Sequence, residues 1–142
     1  MNTNKKNNKW LYFVLGGIQL FIAIGALPAG WLYITDSSGA GLGVSTDMLA
    51  NSPLPNFLIP GLCLFIIHGL GNLAASVFSF LRKPVSGYLG VFFGAAQLIW
   101  ITVQVSWIGL ISFMQPMFFI IGAAETALGI MIYRKTKSTP LQ

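Results

Sequence analysis

Acidic side chains are scarce in this chain: it has three, against eight lysines and arginines, one histidine and one cysteine in 142 residues. The lone Cys63 excludes an internal disulfide and any paired-cysteine redox motif. The lone His68 excludes a His-pair zinc site, and no Gly-x-Ser-x-Gly, His-Glu-x-x-His or phosphate-binding P-loop occurs. His68 and Cys63 together lack the orienting third group that an activated nucleophile needs. We therefore expect no enzymatic activity and no cofactor. Charge of any sign is sparse: Asp, Glu, Lys and Arg make up 8% of the chain, against about 25% in soluble domains. Hydrophobic residues make up 55%, and the mean hydropathy is +0.75. So short and apolar a chain cannot cover its own surface in water, whereas in lipid it need not.

The positive charge that is present is placed with order. Lys5, Lys6 and Lys9 precede the first apolar stretch, Arg82 and Lys83 separate the second from the third, and Arg134, Lys135 and Lys137 follow the fourth. The two other connections hold no Lys or Arg. Basic residues are retained on the cytoplasmic side of a membrane, so the pattern predicts a multi-pass protein with both termini cytoplasmic. The net charge of +5 does not point to nucleic acid, because the basic residues hug span ends instead of forming a stripe with aromatics. Their expected partners are anionic lipid head groups at the inner face, worth roughly 1 kcal/mol per basic side chain.

The expected fold is all-α: a single transmembrane domain of four helices at about 10–34, 56–81, 87–110 and 116–134, each long enough for a core of about 30 Å. Short connections at 82–86 and 112–115 predict an up-down-up-down bundle. The basic N-terminus, apolar run and Ala26-Leu27-Pro28-Ala29 resemble a signal peptide. The run continues through Trp31 to Ile34, however, and is longer than the usual 7–15 residues, so we expect an uncleaved span. Trp31, Tyr33, Phe57 and Trp107 are expected at the outer interface, with Trp10, Tyr12, Tyr88 and Tyr133 at the inner one. Helices 1 and 2 are joined by an extracytoplasmic loop of roughly 20 residues, rich in turn formers, where Ser45 or Thr46 suits a cap. Its acids Asp36 and Asp47 fit local turn hydrogen bonds better than a cation site, since no calcium-loop spacing is present.

Within the spans, steps of three and four trace a seam of small and polar residues on each helix. They run Gly16, Gln19, Ala23, Ala26, Gly30; Gly61, Phe65, His68, Asn72, Ala75, Ser79; Gly87, Gly90, Gly94, Gln97, Ile101, Gln104; and Phe118, Gly122, Glu125, Gly129, Ile132. Such seams are where membrane helices approach closely. Glu125, His68 and Gln97 lie near the middle of their spans, with Gln19 within about one turn of it, so inward-facing seams would gather them in one polar layer, to which Asn72 also contributes. An ionised carboxylate there costs roughly 2.5–3.5 kcal/mol on insertion scales, which requires Glu125 to be neutral, paired or in contact with water. Either these groups bond to one another and fix helix register, or they form a protonatable site for a proton, cation or small cationic substrate.

Asp36-Ser37-Ser38-Gly39, Leu42-Gly43, Leu49, Ser52-Pro53, Phe57-Leu58-Ile59-Pro60-Gly61, Trp100, Gln104 and Gln115 resemble a family of small, uncharacterised four-span bacterial membrane proteins. The resemblance implies a bacterial plasma membrane and a four-helix fold, and adds no mechanism. The small multidrug resistance transporters share size and span count, but they carry their essential acid in the first helix, not the fourth. The sequence favours a non-enzymatic accessory or interaction subunit, or a homo-oligomer, with a membrane protein or a second copy as partner. The rival reading is a proton-linked small transporter or channel through Glu125, His68 and Gln97. A third is lipid binding with the outer loop as a cap.

Overall fold

The computed structural model describes residues 8–138, so Lys5 and Lys6 of the first basic cluster lie outside the described residues. Those residues are all helix, turn and loop, with no strand among them. Four helices are long and apolar enough to cross a membrane: α1 (Lys9–Thr35), α2 (Leu58–Phe80), α3 (Ser86–Ile108) and α4 (Met114–Ser138). The chain is therefore built as a multi-pass membrane protein. Side chains such as Phe92, Ile99 and Ile120, each more than 60% exposed, face outward where hydrocarbon would solvate them.

The helix ends have local causes. Pro28 lies inside α1 without ending it, and the helix closes where the Asp36 N–H donates to Leu32 O. After α2, the Arg82 N–H donates to Ser79 O and the Lys83 N–H to Phe78 O, while Arg82 itself takes a φ of 53°. That is a left-handed helix cap of the kind glycine usually fills. α3 ends at Gly109, whose φ of 76° most other residues would resist. α4 starts at Met114, slightly ahead of the expected 116, with Pro116 in its first turn, where the missing N–H leaves no bond unmade.

Contacts along α1 and α2 pair residues in opposing order. Gly30 lies against Phe65, Leu27 against Gly69, and Gly16 against Phe80. α3 and α4 do the same through glycine. A Cβ on Gly129 would lie 2.5 Å from Val91 N, and one on Gly90 would lie 2.9 Å from Gly129 Cα. A Cβ on Gly94 would likewise meet Thr126 N at 2.6 Å, so Gly90 and Gly94, four residues apart, both serve packing within the chain. α1 meets α4 in a cluster of Leu11, Leu15, Leu128 and Ile132 near the end of the bundle that carries the basic residues. α2 and α3 touch little. At the opposite end, which carries segment 36–57, the two separate.

That segment is folded. Its short turns span Ala40–Leu42 and Thr46–Leu49. Ser45 caps the second, as its sequence position suggested, accepting from the Asp47 N–H. The Phe57 N–H donates to Ser37 O at 2.9 Å and ties the two ends of the segment together. Leu49 and Phe57 are its buried residues besides Gly39. Phe57, expected at the interface, stacks on Tyr33 with ring centroids 4.8 Å apart.

Candidate functional site

The residues that the seams single out are buried almost without exception. Gln19, Asn72 and Glu125 are fully buried, His68 is 2% exposed and Gln97 4%. Along α2, His68, Asn72, Ser76 and Ser79 follow at steps of four, four and three, and all four are buried. They form a polar row from the middle of α2 to its basic end. Gln19 of α1 joins it there, its Oε1 accepting from Ser79 Oγ at 2.7 Å.

The five residues of the expected polar layer fall into smaller groups. Gln19 lies beside Glu125, yet its amide nitrogen reaches hydrogen-bond geometry with neither carboxylate oxygen. Gln97 lies beside His68, and the His68 ring sits 5.6 Å from that of Trp100. Gln97 also packs over the site where Gly122 has no side chain, one turn from Glu125. Among the described residues, Glu125 Oε1 and Oε2, both polar atoms of Asn72, Gln19 Nε2, His68 Nδ1 and Ser86 Oγ are buried without a hydrogen-bond partner. Leaving such a group unpaired costs about 1–3 kcal/mol.

His68 lies in a stretch of α2, Leu64–Gly71, that is wound as a π-helix. Such windings are rare, usually single-turn, and frequent at functional sites. Sequence periodicity held no sign of it, although Gly69 and Gly71 allow the close neighbours Leu27 and Phe93 beside the wider turn.

Sequence reasoning also missed a cavity of about 480 Å³ between α2 and α3, beneath segment 36–57. Leu49 and Phe57 bound it on the segment's side, Trp100 and Trp107 line its α3 wall, and His68 is its lining residue nearest the middle of α2. One faint signal was present: Trp100 and Trp107 lie seven residues apart on α3, off the Gln97 seam. No Asp, Glu, Lys or Arg lines the cavity. His68 is thus shared, lying at the edge of the apolar cavity and at the head of the polar row.

The two loop acids serve their own turns. Asp36 Oδ1 accepts from Ser38 Oγ at 2.6 Å and from the Ser38 N–H at 3.1 Å. These bonds hold its carboxyl below the ordinary value. Asp47 Oδ2 accepts from Ser45 Oγ at 3.1 Å. No three His, Cys, Asp or Glu side chains among the described residues gather as metal ligands would. No family model matches the chain, and no curated protein or solved structure matches it.

Proposed function

We propose that this chain is a proton-linked small transporter or channel of a bacterial plasma membrane, non-enzymatic, with the polar row as its proton path. The carrying observation is Glu125: fully buried, with neither oxygen hydrogen-bonded among the described residues. A carboxyl whose bonds are all made within the protein serves to fix helix register. One with none is free to take up and release a proton, and ionisable residues inside a membrane are functional by default. Gln19 lies beside Glu125 and bonds to Ser79 of the row, and the row's Asn72, Ser76 and Ser79 offer hydroxyls and an amide that can both donate and accept, which suits relay of a proton with water.

The proposed orientation is an up-down-up-down bundle with both termini cytoplasmic and segment 36–57 outside. Arg82 supports it. A positive φ at a residue with a side chain costs about 1 kcal/mol or more relative to glycine. A basic residue at such a position, beside Lys83, suits a turn on the inner side. The polar row then faces inward and the cavity outward.

A second reading, an accessory subunit or homo-oligomer, draws on the turn before α4. Leu110 and Phe113 are 70% and 77% exposed there, among the most exposed apolar side chains of the chain. A membrane-protein partner or a second copy would cover them.

The discriminating experiment compares the parent, Glu125→Gln and His68→Ala in proteoliposomes. Lost proton flux with unchanged thermal stability supports the path. Absent flux in the parent, with only stability altered by the substitutions, supports the accessory reading.

A further inference from the structure

The cavity has a property that the proton path does not use. It follows α3 from Ala96 to Ile108, about 18 Å at 1.5 Å per residue. Its volume of about 480 Å³ falls within the roughly 300–1,000 Å³ usual for small-molecule sites. With no ionised side chain in its lining, a phosphate, carboxylate or ammonium entering it would lose water and gain no counter-charge. A phospholipid tail would fit the apolar walls but would set hydrocarbon against the imidazole of His68. That ring is 2% exposed and lines the cavity. The lining also holds one amide, Gln104, between Trp100 and Trp107, so the occupant that matches is uncharged and largely apolar, and carries hydrogen-bonding oxygen. Aromatic walls at Tyr33, Trp100 and Trp107 favour a flat ring, which stacks or meets them edge to face.

We propose that this cavity binds an uncharged, lipid-soluble ring compound of the quinone or quinol class, with a ring oxygen hydrogen-bonded to His68. The tail lies between α2 and α3 under Leu49 and Phe57. The proposal concerns binding alone and stands whether or not the polar row conducts protons.

The test uses the whole chain purified in mild detergent, with thermal stability as the readout. The probes are decylbenzoquinone and decylbenzene, which share a tail and a ring and differ in the oxygens. The quinone is expected to raise the midpoint saturably, and decylbenzene to leave it unchanged. His68→Phe keeps the ring and removes its nitrogens, and should weaken quinone binding about tenfold or more. Ala96→Phe adds a ring to the α3 wall and leaves the His68 side chain in place, and should abolish binding. Equal stabilisation by both probes, or none by the quinone, overturns the proposal on the parent protein alone, however the variants fold. Undiminished binding by both folded variants overturns it as well.

Discussion

Ser79 on α2 donates a 2.7 Å hydrogen bond to Oε1 of Gln19 on α1, joining two fully buried side chains. It ties the first two helices together beside Glu125, at the basic end of the polar row. Ser79→Ala should therefore destabilise the fold by about 1 kcal/mol, within the usual range for one buried bond. Ser76→Ala should cost less, because Ser76 Oγ bonds only to Leu73 O of its own helix. Unfolding in mixed micelles measures both. Equal losses would mean that the bond to Gln19 contributes nothing specific.

Glycine on α4 sets how closely α3 can approach. A Cβ on Gly129 would lie 2.5 Å from Val91 N and 2.8 Å from the Gly90 carbonyl carbon, both backbone atoms that cannot swing away. Gly129→Ala should cost about 1–3 kcal/mol, as overpacking does. At Gly17 and Gly25 on α1, an added Cβ would meet nothing within 4 Å. Alanine there should be neutral or slightly stabilising, since it favours helix. The same unfolding assay separates the two outcomes.

The turn at Asp36 should respond to acid. Its carboxyl is held below the ordinary 3.8 by the hydroxyl and amide of Ser38. A carboxyl lowered in the fold contributes stability above its unfolded value, and loses it as pH falls through the folded one. The Ser38 amide resonance should accordingly titrate with a midpoint below 3.8. Ser38→Ala should move the Asp36 midpoint upward. A midpoint at or above 3.8 in the parent would contradict the turn geometry.

The sequence made α1 and α3 readable because both are regular helices. Every residue of the seam from Gly16 to Gly30 is buried, as is every residue of the third seam except its last, the half-buried Gln104, since steps of three and four follow a 3.6-residue turn. α2 was only partly readable. Phe65 was placed on its seam and is half-buried, whereas Gly69 and Ser76 are buried and were not placed there. The seam nevertheless holds across the π-wound stretch Leu64–Gly71, since His68, Asn72, Ala75 and Ser79 are all buried; what spacing did not reveal is the wider turn itself. The cavity was not readable at all. It arises where α2 and α3 part and where Leu49 and Phe57 fold over the gap, a long-range arrangement with no local period. The bonding within the polar layer depends on side-chain geometry in the same way. Spacing could gather Glu125, His68, Gln97, Gln19 and Asn72 near one depth, but could not tell which would find partners.

Proton flux through Glu125 tests the central claim most directly. Vesicles reconstituted with the parent protein and loaded with a pH-sensitive dye are given an inward proton gradient, with the membrane potential clamped. The parent should acidify the lumen faster than empty vesicles, and Glu125→Gln should return the rate to the empty-vesicle level while its thermal midpoint stays within a few degrees. Parent vesicles no faster than empty ones, or Glu125→Gln vesicles as fast as the parent, would contradict the account.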